Sequence, residues 1–201
     1  MNFFRFERSG DIGFVSQSGA MVGGMVGRAE ERNIELGYYV HTGNEVDIDM
    51  MDVIDFMVTD PKIKVVLAYI EGIRNIDKFY AVAKKARENG KPLIFYKTGT
   101  SEKGKKVVAS HTGAISGSNR VYDAVLKQLG ITRVYNHESL FEVGSLFSRF
   151  LKCNPISKGR ILVFTPSGGS ASIFADRAEE MGLELPDLQA KTKEELVKIL
   201  P

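Results

Sequence analysis

Short apolar runs alternate with amphipathic stretches along the chain. The run "DIGFVSQ" (residues 11–17) predicts a strand, and "GAMVGGMVGRAEERN" after it a helix whose first half is built of small residues. "LGYYVHTG" predicts a second strand and "DMMDVIDFMVTD", closed by Pro61, a second helix. "IKVVLAYIEG" is continuously apolar, the mark of a strand covered on both faces. "NIDKFYAVAKKARENG" follows as a helix, with Asn75 or Asp77 near its start and Gly90 as its stop. "KPLIFYKTGT" is the fourth strand, the glycine-rich residues 98–118 are expected as a long loop, and "NRVYDAVLKQLG" is the fourth helix. "ITRVYN" and "HESLFEVGSLFSRFLKC" supply the fifth strand and helix.

Strand and helix alternating five times indicate an α/β fold, because parallel strands need right-handed crossovers of about this length. The expected architecture is a flavodoxin-like, doubly wound parallel sheet of order 2-1-3-4-5. After a break at "NPISKG", the run "GRILVFTPSGG" is read as a new strand turning into a helix, "SASIFADRAEEMG", as at the start of a second flavodoxin-like domain. The expected division is residues 1–154 and 155–201, and the second part is too short to close a sheet of its own. Exposed apolar surface around Ile161 to Phe164, and with it an oligomer, is therefore expected.

Composition narrows the class of partner. With 201 residues, 43% hydrophobic, 26% charged and a net charge of +2, the chain has no charge excess of the kind that binds nucleic acid or a membrane surface. The longest apolar runs are far shorter than a membrane span and the N-terminus lacks a signal-peptide pattern. Cys153 is the single cysteine, so no disulfide framework or thiolate metal site is expected, and no metal ligands are assigned. A cytoplasmic location is expected.

In an open parallel sheet, ligands bind beyond the carboxyl ends of the strands where the strand order reverses. Here that point lies between the first and third strands. The first strand ends in "SQSGA", Ser16, Gln17, Ser18 and Gly19 leading into a helix, which offers N–H groups, two hydroxyls and a positive dipole end to an anion. The third strand ends at Glu71 in "YIEGI", a carboxylate directly after an apolar run. If "ASHTGAISGS" folds over the same edge, His111 meets both. A carboxylate at one ring nitrogen leaves the other unprotonated and nucleophilic, and a helix N-terminus would receive attached phosphate. The small neighbours Ser110, Thr112 and Gly113 would let a bulky donor approach. Asn44, Glu45 and Asp47 are read as turn-makers or site-lining residues, His41 as a possible lining residue, and Lys97 as a phosphate-holding or a surface lysine. "EKGKK" reads as a solvated basic turn.

The stretches "GFVSQSGAM", "TGNEVDID", "YIEGI", "KTGTSEKGKKVVASHTGAISGS", "YDAVLKQLGITRV" and "TPSGGSASIFADRAEEMGLEL" resemble the NDP-forming acyl-CoA synthetases, the group that includes ADP-forming acetyl-CoA synthetase and, more distantly, succinyl-CoA synthetase. The resemblance implies an acid-thiol ligase in which His111 is phosphorylated by acyl phosphate and passes phosphoryl to ADP, with Glu71 supporting it. It also implies phosphate-binding helix starts at Ser16 to Gly19 and at Ser167, Gly168 and Gly169. Coenzyme A, a small carboxylic acid and ADP or ATP with Mg²⁺ would be the reactants. A CoA-binding domain and an ATP-grasp domain or subunit, neither of them within these residues, would be the partners. Two other readings of the fold are an FMN-binding flavodoxin-like module and a catalytically silent regulatory module of an acetyltransferase fusion. The scarcity of loop aromatics counts against the first and the retained His111 against the second.

Overall fold

The computed structural model describes residues 3–4, 10–112, 118–150 and 161–199, without the side chains of residues 3–4 and 109–112. The chain divides into two compact units, Met1–Leu151 and Lys152–Pro201.

In the first unit the strands are β1 (Phe3–Phe4), β2 (Ile12–Ser16), β3 (Leu36–His41), β4 (Val65–Ile70), β5 (Leu93–Lys97) and β6 (Thr132–Val134). The helices are α1 (Gly19–Glu31), α2 (Met50–Thr59), α3 (Ile76–Glu88), α4 (Glu102–Thr112), α5 (Asn119–Gln128) and α6 (His137–Phe150). The sheet runs β1-β3-β2-β4-β5-β6. Its five parallel strands, β3-β2-β4-β5-β6, reproduce the expected order 2-1-3-4-5. The added edge is β1, antiparallel to β3 with Phe3 opposite Val40. Its two residues are too few to produce a sequence period.

Alternation along β4 divides the core. Val65, Leu67 and Tyr69 belong to the cluster that also holds Phe14, Met25, Leu140 and Phe141. Val66, Ala68 and Ile70 join the opposite cluster with Ile54, Met57, Phe79, Phe95 and Leu126. Helices α1 and α6 therefore cover one face and α2, α3 and α5 the other. This is why β4, buried at every position, reads as one apolar run. Helix α2 begins at Asp49, which forms a reciprocal capping box with Asp52. Lys78 of α3 reaches both of these carboxylates. Helix α3 starts at Asn75, whose side chain accepts from the Lys78 N–H at 2.9 Å.

One expected loop is partly a helix. Within residues 98–118, Glu102–Thr112 form α4. The Ser101 hydroxyl accepts from the Gly104 N–H at 3.1 Å, and Lys105 pairs with Glu102 one turn on, so "EKGKK" opens a helix instead of forming a turn. The glycines that suggested a loop allow close packing: a Cβ on Gly104 would lie 3.2 Å from the Gly99 Cα. Gly99 itself has φ +68°, where other residues are strained.

The described residues of the second unit form two helices, α7 (Gly168–Glu180) and α8 (Ala190–Val197). Of the strand expected at the start of "GRILVFTPSGG", residues 159–160 lie outside the described residues and residues 161–164 form no strand. Ile161 donates its N–H to the Glu184 carbonyl at 2.9 Å, and Glu184 is an isolated bridge residue. Leu162 and Phe164 are 58% and 64% exposed, as the apolar pattern led us to expect.

Candidate functional site

The turn from β2 into α1 is closed by Ser16. This residue is fully buried, and its hydroxyl donates to the Ser18 carbonyl (2.9 Å) while accepting from the Ser18 N–H (3.1 Å). Gln17 continues the sheet ladder, its N–H donating to the Tyr69 carbonyl at 3.2 Å. Ser18 is the N-cap of α1, but its side chain makes no capping bond. The groups this turn can offer an anion are therefore the Ser18 hydroxyl and the helix N–H groups from Gly19 onward, in a first turn that contains no acidic residue. His41, opposite Ser16 in the register, borders this start: a Cβ on Gly19 would lie 3.6 Å from its Nδ1.

Glu71 follows β4 at the same sheet edge, and the two turns are fastened together by Gln17. The Gln17 Oε1 accepts from the N–H groups of Glu71 (2.5 Å) and Gly72 (3.0 Å), while Nε2 donates to the Gly72 carbonyl (2.8 Å). Both ends of the Gln17 amide and its N–H thus bind protein, and Gln17 serves as a bracket within this edge.

Lys97 closes β5 opposite Ile70 and is only 3% exposed, so it is not a surface lysine. Its Nζ donates to the Glu71 carbonyl at 2.8 Å and to the Thr98 carbonyl, and lies 4.8 Å from the centre of the Tyr122 ring. Burial pushes its pKa down to about 8, with the Arg133 charge adding to the effect, Glu71 opposing it and Lys105 lowering it further. Arg133, the middle residue of β6, has a buried side chain paired with Asp123 at 2.6 Å and bonded to Asn119 at 2.6 Å. The edge around Glu71 therefore has cations on one flank and the α1 N-terminus on the other, an arrangement suited to an anionic group.

The second-strand loop separates into two roles. Asn44 and Asp47 are exposed. Glu45, at φ +52°, has a side chain only 3% exposed that accepts from the Thr42 hydroxyl (3.1 Å) and the Met50 N–H (3.0 Å), with Arg74 at 3.7 Å. Glu45 thus makes the turn and caps α2.

His111 sits in the last turn of α4 with Ser110 and Thr112, and Gly113 lies outside the described residues. In the second unit, Ser167 is the N-cap of α7 and accepts from the Ser170 N–H at 3.2 Å, with Gly168 and Gly169 opening the helix. Among the described residues, no group of three or more His, Cys, Asp or Glu comes together as a metal cluster, and no helix is long and apolar enough to cross a membrane. Tyr38, Tyr39 and Tyr69 all lie within strands, Tyr38 bonded to Asp60, so they offer no loop stack for a flavin.

Comparison with known proteins agrees with this architecture. The pattern described as a succinyl-CoA ligase like flavodoxin domain matches residues 9–147. The alpha subunit of an ADP-forming acetate–CoA ligase II from Pyrococcus furiosus is 34% identical over 200 residues, 99% of this chain and 42% of that protein. A 4-hydroxybutyrate–CoA ligase (ADP-forming) from Nitrosopumilus maritimus is 32% identical over 188 residues, 92% of this chain and 26% of that one. Among solved structures, the dinucleotide-forming acetyl-coenzyme A synthetase 1 of Ca. Korarchaeum cryptofilum, in complex with phosphate and ADP, superposes with a TM-score of 0.77 at 32% identity, covering 96% of this chain and 41% of that one. The chain thus spans less than half the length of these relatives. The matched domain, its strand order and its likeness along nearly the whole chain mean that this protein belongs to the NDP-forming acyl-CoA synthetase family.

Proposed function

We propose that this chain is the phosphohistidine-carrying part of an NDP-forming acyl-CoA synthetase. An unprotonated ring nitrogen of His111 attacks the phosphorus of an acyl phosphate. The N–P bond forms, the P–O bond to the acyl group breaks, and the carboxylate leaves with the bonding electrons. The imidazolium that results carries its charge beside Glu71, and the phosphoryl oxygens are received by the α1 N-terminus and the Ser18 hydroxyl. Transfer from His111 to ADP then restores the free ring and yields ATP. CoA-binding and ATP-grasp domains, on partner chains or further polypeptide, supply the thioester chemistry and the Mg²⁺-nucleotide. Residues 155–201 act as the opening of a second flavodoxin-like domain, with Ser167 to Gly169 as a further phosphate-binding helix start.

The observation that carries this reading is the convergence of the α1 start and Glu71 at one sheet edge, joined through Gln17. The relative solved with phosphate and ADP supports it. The test is phosphate labelling of the whole ligase followed by peptide mapping. We expect acid-labile, base-stable label on His111, lost in His111→Ala. Glu71→Gln should slow labelling about a hundredfold, or about 3 kcal/mol, since an amide can hold the ring but cannot stabilise its positive charge. Label on His41 or His137, or full rate in Glu71→Gln, overturns the mechanism.

A further inference from the structure

The backbone of residues 71 and 72 presents four polar groups at the end of β4, and two buried side chains hold all of them. Gln17, 8% exposed, binds the Glu71 N–H, the Gly72 N–H and the Gly72 carbonyl. Lys97 binds the Glu71 carbonyl. One side chain comes from the residue that follows β2 and the other from the last residue of β5, the two strands between which β4 lies. A chain leaving a strand end ordinarily gives such groups to water or to the following turn. Here the backbone of Glu71 is gripped at its N–H by one neighbour and at its carbonyl by the other.

Using a lysine for this carries a cost. A buried ammonium gives up its hydration, and here its donors are spent on the Glu71 and Thr98 carbonyls, beside the Tyr122 ring. A strand end without chemistry to perform gains little from such a group, because a turn closes on its own backbone. The return is rigidity: with the peptides on both sides of its Cα fixed, the Cα–Cβ direction of Glu71 is fixed as well. A group that must stabilise charge in a transition state acts best when it is held in place beforehand.

We propose that Gln17 and Lys97 are positioning residues for Glu71, jointly fixing the backbone that displays its carboxylate at the sheet edge. The role of the carboxylate rests on the reading of His111 given above; the grip on the backbone does not. Lys97 on this view acts through Glu71 and is not a ligand of the phosphoryl group.

The experiment uses Lys97→Met and Gln17→Met in the full chain, each checked for a cooperative thermal transition, with amide hydrogen exchange at Glu71 and Gly72. Labelling of His111 from acetyl phosphate is then measured in the whole ligase. Both variants should speed exchange at these two amides at least tenfold relative to the β4 interior. Lys97→Met should lower the maximal labelling rate about tenfold with KM for acetyl phosphate unchanged, as misplacement of a positioned group does. In a Glu71→Gln background the same change should cost less than about twofold, because the positioned carboxylate is already gone. Unchanged exchange in both variants overturns the grip. An undiminished tenfold loss in the Glu71→Gln background, or a rise in KM, overturns the positioning role and makes Lys97 a phosphate ligand. If the wild-type ligase takes no label on His111, the proposed function fails, and the exchange measurements still decide the grip.

Discussion

The Gln17 side-chain amide accepts the Glu71 N–H at 2.5 Å, joining residues 54 positions apart across the two turns that define the sheet edge. Two further bonds to Gly72 make the contact specific in direction, since an amide has one donating and one accepting end. Gln17→Met keeps the length of the side chain but leaves the buried N–H groups of Glu71 and Gly72 without their acceptor. We expect a loss of about 2–4 kcal/mol in urea unfolding, well above the cost of an ordinary surface change.

Lys97 gives the protein an alkaline signature. Its folded pKa of about 8 lies below its ordinary 10.5, so between these values the unfolded chain holds a proton that the folded chain has released. Below pH 8 both states are charged and the folded state carries the full desolvation cost. Stability should therefore rise with pH above about 8, by about 2–3 kcal/mol near pH 10. Beyond pH 10 the trend reverses. Burial holds the phenols of Tyr69 and Tyr122 protonated in the folded state while the unfolded chain ionises them. In Lys97→Met the rise should largely vanish, leaving a smaller slope from Lys91, which burial also holds low. Chemical denaturation across pH 7 to 10 measures it.

The strand order and the site edge were readable because each rests on a local signal. The buried run of β4 stands out by composition, and "SQSGA" and "YIEGI" mark strand ends by a change from apolar to polar. What joins them was not readable. A glutamine after a strand looks like a helix-start residue, and nothing local says that its amide binds a backbone 54 positions away. Lys97 stayed open between a phosphate-holding and a surface lysine for the same reason, because nothing local says that the helix carrying Tyr122 closes over it. Its signal was the neighbouring strand: "YIE" and "FYK" end side by side, which suggests that their last polar residues meet. Helix α4 was missed because glycines at 99 and 104 count as breakers in a one-dimensional reading, whereas here they let two backbones approach.

That last point predicts opposite outcomes for two glycine-to-alanine changes. Gly99→Ala places a Cβ 2.7 Å from the Val108 Cγ2 at a φ of +68°, so both the helix and the turn must shift. We expect a loss of about 1–3 kcal/mol and faster amide exchange through α4. Gly23 lies inside α1, exposed, with nothing within 4 Å of the added methyl. Gly23→Ala should instead stabilise by about 0.5–1 kcal/mol, since the helix gains propensity and meets no clash. Thermal melts of the two variants should move in opposite directions from the wild type.

The two serines of the α1 start should also separate, although in the sequence they look equivalent. Ser16 is fully buried and its hydroxyl both donates to and accepts from the Ser18 backbone, so Ser16→Ala removes the closure of the turn. Its expected cost is about 1–2 kcal/mol of stability, with any loss of phosphoryl transfer following from a loosened helix start. Ser18 makes no capping bond, so Ser18→Ala should leave stability within about 0.5 kcal/mol of the wild type, less than the usual cost of losing an N-cap serine. If its hydroxyl receives the phosphoryl group, this variant should slow labelling of His111 less than about tenfold, because the helix N–H groups still offer the larger share of the contact. Unfolding curves and labelling rates on the same two proteins decide the matter: a stability loss in Ser18→Ala as large as in Ser16→Ala would show that Ser18 supports the turn instead of facing the ligand.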